Sequence, residues 1–226
     1  MKIGIAIPWR PQPSRIVAFD FVLDYYSKIL PDVQIYFGDK KGEKWNMGGS
    51  RNIACQKAFS DGCDVVMVVD ADLCLKKENL LAACEYAFSN DLVVVPYSKL
   101  VVIPEENVVE LSKLGPEKYL AIYQNPRIYN LQVGGACAIS SKYFEQCNGW
   151  DERFTGWGYE DSAFALVHHK LTGSDFFKVD GVGLWLNHSD RDKSTTSLNE
   201  KLYKFYVTLN TEQLREWIKG NRFELI

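Results

Sequence analysis

Four short apolar runs separated by three segments of helical period occupy the first 98 residues, and they leave few folds open. "KIGIAI", "VQIYF", "DVVMVV" and "LVVVPYS" read as strands. "SRIVAFDFVLDYYSKIL", "GSRNIACQKAFSDG" and "KENLLAACEYAFS" place apolar residues at helical spacing, the first with Ser14 as its N-cap and the second closing near Gly62. Strand and helix alternating at these lengths predict an α/β fold: a parallel sheet covered by helices. Such sheets bind ligands at the carboxyl ends of their strands. A chain of 226 residues, 46% hydrophobic, is enough for one domain with a sizeable core.

Residues 99–130 break the rhythm with charges, Pro104, Gly115 and Pro116, and read as a connecting excursion with one helix. Then come a strand with a glycine pair, "LQVGGACAIS", a short helix ended by Gly149, "SKYFEQCNG", and another helix, "YEDSAFALVHHKL". "FFKVD" and "VGLWLNH" read as short strands, and the tail from Ser197 as helical and polar on one face. No linker divides the chain, so 1–226 is read as one domain. Within it, 1–98 is a first half, 131–190 a second, and 191–226 forms C-terminal helices.

Composition weighs against some partners. A net charge of −3 argues against a nucleic-acid footprint. No apolar run reaches the length of a membrane span, and "IGIAI" is too short for a signal-peptide core. Six cysteines without C-x-x-C spacing read as reduced thiols, which places the protein in the cytoplasm.

The motifs fall where a parallel sheet presents its ligand edge. "DVVMVV" runs out on Asp70 and Asp72, two carboxylates that repel and call for a counter-charge such as Mg²⁺ or Mn²⁺. On the pair alone, a solvated loop or a cap for the helix near Lys77 explains them equally well. In "NGWDERFTGWGYEDSAF", glycines flank Trp157, which suits a loop closing over a ligand. Trp150, Trp157 and Tyr159 can lay rings on a sugar face, and Glu160 and Asp161 open the next helix. Acids favour a first helical turn on dipole grounds alone, but that does not account for the surrounding Gly and Trp. His188 emerges at a strand end as a candidate third metal ligand. Pro8 and Arg10 end the first strand, and Arg51 opens a helix; either arginine can meet a phosphate or simply face solvent.

Taken together these motifs resemble the GT-A fold glycosyltransferases, and more closely the β-1,4-galactosyltransferase family (glycosyltransferase family 7) and related bacterial polysaccharide-polymerising transferases. Ile7-Pro8-Trp9-Arg10, Asp70-Ala71-Asp72, Gly134-Gly135, Asn148-Gly149, the "TGWGYED" segment and His188 follow the family's order from residue 3 to about 190. The resemblance implies a Rossmann-like, mostly parallel sheet with a small antiparallel element near the active site, with 1–98 as the nucleotide-sugar-binding half and 131–190 as the acceptor and catalytic half. It implies a UDP-sugar donor of galactose or N-acetylhexosamine type, Mn²⁺ (or Mg²⁺), and an acceptor hydroxyl on a glycan, protein or small molecule. It assigns the metal to Asp72, His188 and Asp70, the catalytic base to Asp161 beside Glu160, and acceptor contacts to Trp157, Tyr159 and Glu160. Donor contacts fall to Pro8, Arg10, Arg51, Asp70, Asp72, Lys99 and Trp157. Tyr159 stands where the family has glycine. Three other readings compete: transfer to a modified DNA base, which the net charge disfavours; a nucleotidyltransferase, which would want a glycine-rich loop after the first strand; and a non-catalytic sugar-binding module, which would not need the metal residues.

Overall fold

The computed structural model describes residues 1–116, 118–119, 127–130, 134–188 and 192–220. Elements are numbered in chain order. The first part contains β1 (Ile3–Pro8), α1 (Ile16–Ile29), β2 (Gln34–Gly38), α2 (Met47–Ser60), β3 (Val65–Val69), β4 (Leu73–Leu75), α3 (Lys77–Asn90) and β5 (Val93–Val95). Then follow β6 (Lys99–Ile103), α4 (Val108–Leu114), β7 (Arg127–Asn130), β8 (Ala136–Ser140), α5 (Ser141–Cys147) and α6 (Glu160–Thr172). The last are β9 (Phe177–Lys178), β10 (Val182–Leu186), α7 (Thr196–Thr208) and α8 (Thr211–Lys219).

The central sheet has the order β2-β1-β3-β8-β5-β9. β1 pairs parallel with β2 and β3, and β5 pairs parallel with β9. β8 alone is antiparallel, inserted between β3 and β5. The sheet is therefore mostly parallel, as the strand–helix alternation predicts. All five residues of β3 are buried, which is why that strand reads as an unbroken apolar run: helices cover both of its faces.

A second sheet, β4-β10-β6-β7, sits beside the ligand edge of the first. It corrects two expectations. The small element is mixed, because β10 pairs antiparallel with β4 but parallel with β6. The excursion over 99–130 also contains two strands, β6 and β7, around α4; residues 117 and 120–126, and the start of the expected "LQVGGACAIS" strand at 131–133, lie outside the described residues. Helix starts shift as well. Pro13 begins a short 3₁₀ turn, so the cap of α1 falls on Arg15 instead of Ser14. α2 begins at Met47, where the Asn46 side chain accepts from the Gly49 N–H at 2.7 Å. Arg51 consequently lies one turn inside α2.

All six cysteines are buried and unbonded to one another. Among the described residues no helix is long and apolar enough to cross a membrane.

Gly38 ends β2 where α2 crosses it. A Cβ there would fall 1.9 Å from the Ser50 carbonyl oxygen and 2.9 Å from the Ala54 nitrogen, both backbone atoms that cannot rotate away. Gly38→Ala is expected to destabilise the protein by about 1–3 kcal/mol or more. A fall in the urea midpoint at unchanged slope would show it; an unchanged midpoint would mean that α2 can lift off β2 at little cost.

Candidate active site

Asp70 and Asp72 leave β3 in a tight turn that sends them to different partners. The Asp70 N–H donates to the Gly135 carbonyl at 2.8 Å, continuing the β3–β8 ladder by one residue. Its carboxylate accepts from Arg51 at 2.8 Å. Asp72 turns instead toward β10. The antiparallel register sets Trp185 opposite Leu73, and the Leu186 N–H donates to the Asp72 carbonyl at 2.8 Å. His188, two residues further on, is thereby brought to Asp72, with Nε2 3.2 Å from Oδ2. Trp185 Nε1 donates to the same oxygen at 3.2 Å.

Arg51 is the pivot of the acid cluster. Its side chain is only 3% exposed, and its two terminal nitrogens donate to Asp70 and, at 2.5 Å, to Asp161. The guanidinium also lies over the Trp150 ring, 5.6 Å from its centroid. Burial alone would push Arg51 down; the charges of Asp161, Asp70 and Glu160 outweigh it and push it well above its ordinary value. One cation does not satisfy three acids. Burial pushes Asp70 up to about 6, with Arg51 opposing and Asp161 and Asp72 adding to the rise. Burial and then Asp161 push Glu160 up to about 7, against Arg51. Gly134 makes room for the arrangement: a Cβ on it would fall 1.9 Å from Asp161 Oδ2.

The Asp72–His188 pair fits a divalent cation. Two donors each bonded at about 2.1 Å and at right angles to one another sit about 3 Å apart, close to the 3.2 Å observed. His188 Nδ1 is buried with no hydrogen-bond partner among the described residues. Among those residues no group of three His, Cys, Asp or Glu side chains is arranged around an ion. Asp70, the expected third ligand, is instead engaged by Arg51.

The segment before α6 is shaped by positive φ at Gly156 (+68°), Gly158 (+106°) and Tyr159 (+72°). For a bulky residue such as Tyr159 this is strained backbone, and a glycine would adopt it freely. The Tyr159 ring packs on Tyr203 of α7, at 5.5 Å between centroids. Trp157 is 43% exposed, with its backbone N–H donating to the Asp192 carbonyl at 2.9 Å. Asn199 of α7 donates to the carbonyls of Thr155 and Gly158, both at 2.9 Å. On the other side the Gly156 N–H donates to the Trp45 carbonyl at 2.7 Å.

These pieces enclose a cleft of about 360 Å³. Pro8, Arg10, Asp70, Asp72, Trp157, Tyr159, Glu160, Asp161 and His188 all line it. Arg51 and Lys99 do not. Arg51 lies behind the acids, and Lys99 is an exposed residue at the start of β6. Arg10 reaches the cleft with its guanidinium already committed to Asp39 at 2.8 Å and to the carbonyls of Gly42 and Lys40, across the Trp45 ring. Trp45 and Trp185 are wall residues that the sequence reading passed over. For Trp185 a signal existed: it lies on the apolar strand three residues before His188. Trp45 sits in a charged loop with no periodicity to flag it.

Asp70 and Glu160 are held above their ordinary values of 3.8 and 4.5, so folding favours their protonated forms. Their contribution to stability is complete below about pH 4 and is lost as pH rises through about 6 and 7. The metal-free protein is therefore expected to lose stability between about pH 4 and 7, and Glu160→Gln to flatten the upper part of that fall. Urea midpoints across the range decide it; equal slopes in the two proteins would rule out a role for Glu160. Arg51→Met, which leaves Asp70 and Asp161 without their cation, should cost about 3–5 kcal/mol near neutral pH.

A family model described as the N-terminal domain of galactosyltransferase matches residues 120–181, which include Gly134, Trp157, Glu160 and Asp161 but not Asp70, Asp72 or His188. Beta-1,4-galactosyltransferase 7 from Mus musculus and from Homo sapiens is 29% identical over 99 residues, 43% of this chain. The match spans 30% of each relative's length. The catalytic domain of Drosophila beta-1,4-galactosyltransferase 7, solved with xylobiose, superposes with a TM-score of 0.56 at 19% identity, covering 93% of this chain and 83% of that one. GalNAc-T7, solved with UDP, GalNAc and Mn²⁺, gives 0.54 at 12% identity over 97% of this chain and 56% of that one. The chain has the GT-A fold of these transferases, and in sequence it resembles the β-1,4-galactosyltransferase family.

Proposed function

We propose that the protein transfers a sugar from a UDP-sugar to an acceptor hydroxyl with inversion at the anomeric carbon. The observation that carries this reading is a single cleft lined by the Asp72–His188 pair and by the carboxylates of Glu160 and Asp161. The resemblance to galactosyltransferases, and the UDP, GalNAc and Mn²⁺ bound by GalNAc-T7, favour a galactose- or N-acetylhexosamine-type donor. The xylobiose bound by the Drosophila enzyme favours a sugar hydroxyl as acceptor.

In this reading Asp72 and His188 hold the divalent cation, which when bound neutralises charge developing on the departing diphosphate. Pro8 and Arg10 wall the nucleotide side. Trp157 and Tyr159 shape the acceptor side, and Glu160, poised near neutrality, exchanges hydrogen bonds with acceptor hydroxyls. Asp161 takes the proton of the attacking hydroxyl. The hydroxyl oxygen bonds to the anomeric carbon as the bond to the diphosphate oxygen breaks, and its electron pair leaves with UDP. Attack from the face opposite the leaving group inverts the centre. Arg51 orients Asp161 from behind, so neither it nor Lys99 is given a donor contact. The six buried thiols suit a reducing compartment, and we place the protein in the cytoplasm.

Two substitutions separate the roles. Asp161→Asn should leave Mn²⁺-dependent UDP binding nearly intact and cut transfer by about 10²–10⁴-fold. Asp72→Asn should lose binding and rate together. Calorimetry with UDP and Mn²⁺, release of UDP from a set of UDP-sugars, and the product anomer by NMR read the three claims. Wild-type turnover in Asp161→Asn, or a retained anomer, would exclude Asp161 as an inverting base.

A further inference from the structure

Tyr97 lies just beyond β5, fully buried, in a segment that carries no recognisable motif. Its hydroxyl donates to the Gly134 carbonyl. The Gly134–Gly135 turn that receives this bond touches both acids bridged by Arg51. The Gly135 carbonyl accepts the Asp70 N–H at 2.8 Å. The Asp161 carboxylate rests on the Gly134 backbone so closely that a Cβ there would fall 1.9 Å from Oδ2 and 2.5 Å from Cγ. Gly135 holds φ at +93°, a conformation that other residues adopt rarely, so the turn has few alternatives of its own. Among the described residues the phenol is the side-chain hydrogen-bond donor that pins it.

We propose that Tyr97 is a positioning residue, setting Asp161 and Asp70 against the two ends of Arg51 through the Gly134–Gly135 turn. The distances make the path short: hydroxyl to Gly134 carbonyl, Gly134 backbone to Asp161 carboxylate, Gly135 carbonyl to Asp70 N–H. Burial, with Asp161 and Asp70 nearby, pushes the phenol well above its ordinary value, so it remains a donor across the working range. A phenylalanine fills the same space but leaves the part-buried Gly134 carbonyl at the cleft wall without this donor, and the turn is then free to follow the strand instead of the acids.

The activity readout rests on the transferase reading; the structural readout does not. Tyr97→Phe should leave UDP–Mn²⁺ affinity within about twofold while turnover at saturating donor and acceptor falls by about 10- to 100-fold, the scale of an ångström-sized misplacement. In an Asp161→Asn background the same change should lower turnover by less than about twofold, because the group it positions is already gone. A Tyr97 that merely fills the core would cost the same factor in both backgrounds, and that result overturns the proposal, as does wild-type turnover in Tyr97→Phe. A crystal structure of Tyr97→Phe, and of Gly134→Ala as a second way to disturb the turn, should show the Asp161 carboxylate displaced from its place between Gly134 and Arg51. If wild type transfers no sugar from any UDP-sugar, the transferase reading fails, and the crystal structures alone decide Tyr97: an unmoved Asp161 in Tyr97→Phe overturns its role.

Discussion

A single guanidinium buried among carboxylates organises this molecule's cleft. Arg51 projects from the second turn of α2 and joins Asp70, at the end of β3, to Asp161, in the first turn of α6. A cation this deep is expensive to hold unless its hydrogen bonds are met with good geometry, and breaking such a pair costs more than forming it gains. Much of the local sequence serves that geometry. Gly134 has no side chain because the Asp161 carboxylate occupies the space. Asn46 caps α2 so that the helix is already formed when it reaches Arg51. Trp150 covers one face of the guanidinium. Burial, and then the excess of negative charge over this one cation, leave Asp70 and Glu160 easy to protonate.

The cleft is closed by parts distant in sequence. The turn carrying Trp157 takes no support from regular structure of its own; α7 holds it through Asn199, and the loop before α2 holds it through Trp45. α7 is anchored in turn by Tyr206, whose hydroxyl donates to the buried Asp151 carboxylate at 2.6 Å. Arg153 grips the same carboxylate and lies over the Trp217 ring of α8. The C-terminal helices thus act as a brace for the cleft wall that carries Trp157 and Tyr159.

Much of this was legible in the chain before any coordinates. Short unbroken apolar runs and period-3.6 patterns locate β1, β2, β3, β5 and the helices between them, because those elements bury residues in one core. Asp70, Asp72, Glu160, Asp161 and His188 are legible because apolar strands and glycine-flanked tryptophans frame them. The strands β4, β6 and β7 were not: β4 has three residues, too few for a period to show, and β6 and β7 lie in a stretch broken by charges, prolines and a glycine. The division of labour between Asp70 and Asp72 was also hidden. Two acids separated by one residue look equivalent in a string, and only the turn after Val69 sends one to an arginine and the other to a histidine. Tyr97 is invisible for a similar reason, since its role lies in one hydroxyl meeting a carbonyl across the sheet.

The antiparallel insertion of β8 has a consequence for how the chain comes off the ribosome. When β3 and β5 have both been synthesised, the strand that belongs between them does not yet exist. Each then presents an all-apolar edge with unpaired backbone groups, the kind of surface that invites pairing with the wrong chain. Relief comes only with residues 136–140, and the same step draws the Gly134–Gly135 turn onto Asp70. Filling the gap between β3 and β5 and seating that turn on Asp70 are therefore one event in time, and a nascent chain that has hidden these sticky edges has by that act built the floor of its cleft.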